Sequence, residues 1–204
     1  MRLFKAGFSF LFALSFLSPS LAKDTTVVFL GDSLTEGLGV NPDQAFPALI
    51  GKEFEKAGKK ISVVNSGISG STSTSAPARM KKILTTNPDW VVLALGANDG
   101  LRGLSVDTMK KNLETSIDLA LAQKVKVMLV GMRMPPNYGQ AYGKQFEKVF
   151  ADLAKKYPTV LYLPFLLDKV AGDPTLNMPD GIHPNVEGHK VLATLVFNVL
   201  RKKI

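Results

Sequence analysis

Apolar and polar positions divide the chain into blocks that predict strands and helices in alternation. Short, continuous apolar runs predict five strands, at residues 27–30, 61–64, 90–95, 125–130 and 160–163. Apolar residues with helical spacing predict helices at residues 43–58, 78–84, 105–123 and 142–156, and a last helix after Pro184. Strands that are apolar throughout and separated by helices indicate a parallel sheet with helices on both faces, so we predict an α/β fold.

The helical spacing also predicts which side chains face the core. These are Phe46, Leu49, Ile50 and Phe54 in one helix, Met109, Leu113, Ile117 and Leu121 in another, and Leu192, Leu195, Val196, Val199 and Leu200 in the last. Ser105 precedes the second of these helices. We expect it to cap that helix, because a serine oxygen there accepts a hydrogen bond from a first-turn amide.

The first 22 residues have the pattern of a secretory signal peptide. Arg2 and Lys5 form a basic start, residues 6–17 are apolar, and small residues at Ser20 and Ala22 precede a cleavage point. A membrane anchor is the alternative, but this apolar segment is shorter than the ~20 residues that span a bilayer. We therefore expect cleavage after Ala22 and a periplasmic or secreted protein without stable membrane insertion. Residues 23–204 are expected to form a single domain.

Composition narrows the chemistry. The chain has no cysteine and only two histidines, so disulfides, thiolate metal sites and cysteine nucleophiles are excluded, and we expect neither a metal nor a cofactor. The net charge is +8, but the basic residues are scattered and not interleaved with aromatic residues. We interpret them as solvated helix surfaces and expect no nucleic-acid partner. Attraction to anionic envelope surfaces is a weaker alternative.

Residues capable of chemistry follow the predicted strands. Ser33 comes just after the first strand, Gly70 after the second, Asn98 after the third, and Asp180 and His183 after the last. In a parallel sheet these positions share the carboxyl edge, where ligands bind. Serine, histidine and aspartate are together the parts of a nucleophilic hydrolase.

The roles within such a hydrolase follow from residue type and spacing. We predict that Ser33 is the nucleophile, that His183 is the base, and that Asp180 orients the imidazole. An ordinary helix-capping role is the alternative for Ser33. His189 is the competing base but has no carboxylate as near in sequence as Asp180, and Asp173 is a less well-spaced alternative carboxylate.

Acyl transfer also needs donors aimed at the developing oxyanion. The candidates are the backbone N–H groups of Ser33 and Gly70 and the side-chain amide of Asn98. Gly67 is a competing glycine, since either glycine allows close approach of substrate to its amide.

Two further carboxylates lie beside these residues. We expect Asp32 and Asp99 to be structural, because Asp32 adjoins the nucleophile in sequence and Asp99 is placed to hold its loop.

Four motifs together resemble the blocks of the SGNH hydrolases, also called GDSL esterases. They are Gly31-Asp32-Ser33-Leu34, Asn65-Ser66-Gly67-Ile68-Ser69-Gly70, Gly96-Ala97-Asn98-Asp99 and Asp180-Gly181-Ile182-His183. The similarity runs from about Thr25 to the C-terminus. It is greatest with the small periplasmic arylesterase, acyl-CoA thioesterase I and lysophospholipase group, whose loops are similar to residues 98–103 and 135–139.

The resemblance implies a flavodoxin-like, three-layer α/β/α sandwich with a central, mostly parallel, five-stranded sheet. It also selects Gly70 over Gly67 as the oxyanion donor. Ser71 is a departure, because close relatives commonly carry aspartate there, and this bears on the pose of the oxyanion loop.

We therefore expect an exported serine hydrolase that cleaves small carboxylic esters or thioesters through a covalent acyl-enzyme. Lysophospholipid is a further candidate substrate, and we expect a monomer. The residues expected to line the acyl site follow the third and fourth strands and are Leu101, Met132, Met134 and Pro135. Two alternatives are a carbohydrate O-deacetylase with the same triad and a binding module that has lost catalysis.

Overall fold

The computed structural model describes residues 24–204, which form five strands and seven helices. The predicted signal peptide, residues 1–22, lies outside the described residues. The strands are β1 (Thr25–Gly31), β2 (Ile61–Gly67), β3 (Trp90–Ala94), β4 (Lys126–Val130) and β5 (Leu161–Leu163). The helices are α1 (Ser33–Glu36), α2 (Phe46–Lys56), α3 (Ala76–Leu84), α4 (Ala97–Leu101), α5 (Val106–Ala122), α6 (Gln140–Lys156) and α7 (Val186–Leu200).

The strands form one sheet in the order β2-β1-β3-β4-β5, and every neighbouring pair is parallel. α2 packs against α7, whereas α5 packs against both α3 and α6. The chain moves outward from β1 to β2 and then returns past β1 to β3, so right-handed connections put α2 and α3 on opposite faces. The predicted three-layer α/β/α fold is confirmed.

This reversal of direction determines where a site can form. The connections after β1 and β3 leave toward opposite faces of the sheet, which opens a crevice between the carboxyl ends of these two strands. The crevice is bounded by α1, which follows β1, and by α4, which follows β3. Residues on these two short helices are therefore brought together at the carboxyl edge.

The central strands are buried on both faces, as their continuous apolar sequences predict. Val27, Val28, Phe29 and Leu30 of β1 are all at most 2% exposed. The prediction of burial is wrong for β2, because this strand lies at the edge of the sheet and Val64 is 42% exposed. An edge strand has a neighbour on one side only, so its apolar sequence does not guarantee burial.

The predicted core faces of the helices are largely buried. The exceptions are only partly buried and pack against the margin of the core; they are Leu49, Leu121, Leu195 and Val199. Ser105 caps α5 as expected, with its Oγ accepting a hydrogen bond of 3.2 Å from the amide of Thr108.

The main departures from the predicted elements are in the helices. α2 begins at Phe46 rather than at residue 43, with Pro47 in its first turn, where proline is favoured. α1 and α4 have four and five residues, too short to show a helical period, and the sequence did not predict them. No helix between residues 24 and 204 combines the length and apolar character needed to cross a membrane.

Candidate active site

Ser33 stands at the turn between β1 and α1. Asp32 caps α1, with its Oδ1 accepting a hydrogen bond of 3.1 Å from the amide of Leu34. A Cβ atom on Gly31 would lie 1.9 Å from Oγ1 of Thr35, so the turn needs a glycine there. As the first residue of α1, Ser33 has an amide that helix geometry leaves without an intrahelical acceptor.

Ser33, His183 and Asp180 form a continuous hydrogen-bonded chain. Oγ of Ser33 lies 2.9 Å from Nε2 of His183, and Nδ1 of His183 lies 2.7 Å from Oδ2 of Asp180. When Nδ1–H donates to Asp180, Nε2 carries no proton and can accept the serine hydroxyl. This is the arrangement that a serine nucleophile and its general base require.

The carboxylate of Asp180 is held in place by its own loop. Its Oδ1 accepts hydrogen bonds of 3.0 Å from the backbone amides of both Ile182 and His183. The amide of His183, then that of Ile182, and then the imidazole lower the pKa of Asp180 to about 2. The group is therefore an anion at neutral pH, and it can stabilise an imidazolium beside it.

The competing histidine and aspartate lie in other contacts. His189 is 1% exposed, stacks on the ring of Phe46, and accepts a hydrogen bond of 3.2 Å at Nδ1 from the amide of Phe46. Burial lowers its pKa to about 4. Asp173 accepts hydrogen bonds from the amide and hydroxyl of Thr175. The structure brings His183 and Asp180, rather than these two residues, to Ser33.

Asn98 lies in α4 and lines the same cleft as Ser33 and His183. Its Nδ2 donates to the carbonyl of Ser71 at 3.1 Å, and it lies 3.5 Å from Oδ2 of Asp32. One amide hydrogen is therefore committed to the Ser71 loop, which fixes the plane of the side-chain amide. The contact of Nδ2 with Asp32 is at the long limit of a hydrogen bond, so it is the weaker of the two.

Gly67, the last residue of β2, and Gly70, in the loop that follows, are required as glycines for different structural reasons. A Cβ atom on Gly67 would lie 2.1 Å from the backbone nitrogen of Glu36, so Gly67 allows α1 to pack on the end of β2. Gly70 instead has a φ of +74°, in the left-handed region that favours glycine. It is not among the residues that line the main cleft, and its carbonyl accepts from Arg102 at 2.9 Å.

Asp32 and Asp99 are both buried, and the carboxylate of each accepts a hydrogen bond from a backbone amide. Asp32 is 2% exposed, and burial raises its pKa to about 6. Asp99 accepts hydrogen bonds from the amide of Ser73 at 2.7 Å and from its hydroxyl at 2.6 Å. These contacts anchor the loop after β2 to α4, which is the structural role expected of Asp99.

A cleft of about 860 Å³ opens beside Ser33 and His183. Four of its lining residues are those predicted for the acyl site, namely Leu101, Met132, Met134 and Pro135. Sequence reasoning missed Tyr138, Phe165, Leu167 and Ile182, which also line it. Phe165 and Leu167 follow β5, so the rule that sites form beyond strand ends could have found them.

The ionisable side chains of the site suit acid–base chemistry. Across residues 24–204, no three side chains of histidine, aspartate or glutamate converge as metal ligands would. In the described part of the chain, the carboxylate hydrogen-bonded to the imidazole of His183 is that of Asp180, which can orient the ring and balance a positive charge on it.

The sequence matches a known protein family over most of its length. The model of the GDSL-like Lipase/Acylhydrolase family matches residues 29–191. This range includes all four motifs and every residue of the Ser33–His183–Asp180 chain.

Relatives of known name match over nearly the whole chain. Esterase TesA of Pseudomonas aeruginosa is 37% identical over 190 residues, which cover 93% of this chain and 94% of the relative. Thioesterase 1/protease 1/lysophospholipase L1 of Escherichia coli strain K12 is 35% identical over 193 residues, covering 94% and 90%. A crystal structure of TesA is similar with a TM-score of 0.85 and 35% identity, over 88% of this chain and 100% of that one.

Proposed function

The chain belongs to the GDSL-like lipase/acylhydrolase family, and from this premise we propose that it is an exported serine hydrolase with a Ser33–His183–Asp180 triad. The protein is a carboxylic ester hydrolase, the class to which its esterase and thioesterase relatives belong. The proposal adds the catalytic residues, a covalent mechanism and a location. Its main support is the 2.9 Å contact between Oγ of Ser33 and Nε2 of His183, with Asp180 behind the ring.

The proposed reaction has two halves. Nε2 of His183 takes the hydroxyl proton as Oγ of Ser33 attacks the acyl carbon, and the alcohol or thiol then leaves with that proton. The acyl group remains bound to Oγ as an ester. The same imidazole takes a proton from a water molecule as that water attacks the ester. It then gives the proton to Oγ of Ser33 as the bond from Oγ to the acyl carbon breaks and the acid is released.

Negative charge develops on the acyl oxygen in both halves. We assign its stabilisation to the amide of Ser33, the amide of Gly70 and the side chain of Asn98. Donors of this kind are worth roughly 3–4 kcal/mol each when they are fixed before the reaction. Ser33 and Asn98 both line the cleft, and the carbonyl of Ser71 also holds the side-chain amide of Asn98.

The cleft supports acyl chains longer than acetyl. Its apolar wall includes Met132, Met134 and Phe165, and methionine side chains adapt to flexible chains. We propose small acyl esters and thioesters as substrates, with lysophospholipid as a candidate within this class. The enzyme is proposed to act as a monomer.

A chain-length series of nitrophenyl esters tests the substrate class, with lysophospholipid and acyl-CoA assayed in parallel. We expect kcat/KM to rise from acetyl to longer acyl chains as more apolar surface is buried. A fluorophosphonate probe should label the active enzyme once, at Ser33. If the probe labels the enzyme but kcat/KM is highest for acetyl esters, the carbohydrate O-deacetylase is favoured instead. Absence of both labelling and turnover would favour the binding module.

Export rests on the pattern of residues 1–22 and needs its own test. We propose cleavage after Ala22 and a periplasmic or secreted mature protein that begins at Lys23. Mass spectrometry of the protein from envelope and medium fractions should find that N-terminus. A mature protein that retains Met1 would contradict export through this segment.

A further inference from the structure

The loop that follows β2, residues 68–73, is held by side chains on both sides of Gly70. On one side, Glu36 accepts hydrogen bonds at Oε2 from the hydroxyl of Ser69 and, at 2.7 Å, from its amide. On the other side, Nη2 of Arg102 donates to the carbonyl of Gly70 at 2.9 Å. Gly70 therefore lies between two peptide groups that charged side chains hold in place.

These two side chains come from the helices that carry the candidate active site. Glu36 is the last residue of α1, which begins at Ser33. Arg102 is the C-cap of α4, which contains Asn98. The loop is thus tied on one side to the nucleophile and on the other to a proposed oxyanion donor.

Backbone contacts place the loop between the same two helices. The amide of Ile68 donates to the carbonyl of Gly31 at 3.2 Å, two residues before Ser33. The carbonyl of Ser71 accepts from Nδ2 of Asn98. Gly70, between Ile68 and Ser71, is therefore held at the carboxyl edge between α1 and α4.

We propose that Glu36 and Arg102 are positioning residues that aim the amide of Gly70 at the oxyanion. This inference rests on the proposed function. The amide of Gly70 belongs to the planar peptide between Ser69 and Gly70, which lies between the two groups that Glu36 and Arg102 bind. Glycine by itself has wide conformational freedom. Holding the flanking peptides removes that freedom, and an oxyanion donor is effective only when it is fixed beforehand.

The tests are the variants Glu36→Ala, Arg102→Ala and the double variant, with Glu55→Ala and Arg201→Ala as matched controls. Glu55 and Arg201 are exposed and lie on α2 and at the end of α7. Each single variant should lower kcat by about tenfold with KM within about twofold, because the donor acts on charge present only in the transition state. The controls should match the parent enzyme.

The double variant distinguishes shared action from independent action. If both side chains fix one amide, losing the second costs less than losing the first, so the combined loss of kcat is smaller than the product of the single losses. Glu36→Gln keeps an oxygen that can accept from Ser69 and should recover most of the activity. Denaturant unfolding of each variant shows whether the loss of kcat is separate from a loss of stability.

Two outcomes separate this inference from the proposed function. If Ser33→Ala abolishes hydrolysis while the Glu36 and Arg102 variants keep the kcat of the parent, the positioning role is wrong and the triad stands. The positioning role is also wrong if these variants lose stability but keep the kcat of the parent when kcat is calculated per active site, counted by titration with a fluorophosphonate. If Ser33→Ala retains full activity, the proposed function itself fails.

Discussion

Oγ of Ser33 lies 2.9 Å from Nε2 of His183, although 150 positions separate the two residues. The serine begins α1 directly after the first strand, and the histidine lies in the loop before the last helix. Their contact depends on the whole sheet, because β1 carries one residue and the chain must pass through β5 before it presents the other. The first three predictions concern this site.

Replacing Ser33 by alanine should leave a folded protein with kcat lowered by roughly 10⁴–10⁶, because among residues 24–204 the hydroxyl that contacts the imidazole of His183 is that of Ser33. Hydrolysis of a nitrophenyl ester measures the loss, and circular dichroism checks the fold. Ser62→Ala, on the exposed edge strand, is the control. Turnover near that of the parent by pure Ser33→Ala protein would show that another residue is the nucleophile.

Asp180→Asn should lower kcat by up to ~10⁴. The replacement keeps the shape of the side chain but removes the charge that orients His183 and stabilises its protonated form. Asp173→Asn is a matched control, since Asp173 bonds to Thr175 within its own turn. Steady-state kinetics of both variants decide the assignment. Equal losses in the two variants, or none in Asp180→Asn, would move the orienting role elsewhere.

Asn98→Ala should lower kcat by about 10²–10³ with little change in KM, because its amide is proposed to bind charge that exists only in the transition state. Asn198→Ala, at an exposed position of α7, controls for the loss of an asparagine. Saturation kinetics with one aryl ester separate the two constants. A higher KM at unchanged kcat would mean that Asn98 binds the ground state of the substrate.

Two buried groups should give stability an unusual dependence on pH. Burial raises the pKa of Asp32 from 3.8 to about 6 and lowers the pKa of His189 from 6.5 to about 4. Between about pH 4 and 6, folded Asp32 holds a proton that the unfolded chain has released, so this group destabilises the fold as pH rises. Over nearly the same range, unfolded His189 binds a proton that the folded ring excludes, so this group stabilises the fold as pH rises.

Single variants should uncover the two opposing slopes. In Asp32→Asn, the free energy of unfolding should rise relative to the parent by roughly 3 kcal/mol between pH 4 and 6.5, the range of the shift in pKa. His189→Asn should give the opposite slope. Urea unfolding at several pH values measures both, and the comparison uses slopes because each replacement also changes packing. Two variants with the slope of the parent would contradict the buried-charge account.

The sequence was sufficient to predict the sheet and the edge at which the site forms. Continuous apolar runs predict all five strands, and the rule that sites lie beyond the carboxyl ends of strands places Ser33, Asn98 and His183 together. The choice of His183 over His189 also followed from local spacing, because Asp180 is three residues away. Such features are encoded within a few neighbouring residues.

Features that depend on distant neighbours could not be predicted in this way. α1 and α4 are too short for a helical period. α1 packs against β2, and α4 is hydrogen-bonded to the loop after β2. The protonation of Asp32 and the contact of Glu36 with Ser69 depend on side chains that meet only in the folded chain. The exposure of Val64 follows from the position of β2 in the sheet order, which the apolar run does not specify.

The position of the two halves of the site along the chain also sets when activity can begin during synthesis. A ribosome makes the nucleophile near the start of the chain, whereas His183 emerges only with the segment that leads into α7. α7 then has to dock on α2, the helix that follows the nucleophile. A nascent chain therefore holds Ser33 without His183, the base of the proposed triad. We expect hydrolysis to begin only once the final helix has been made and has docked.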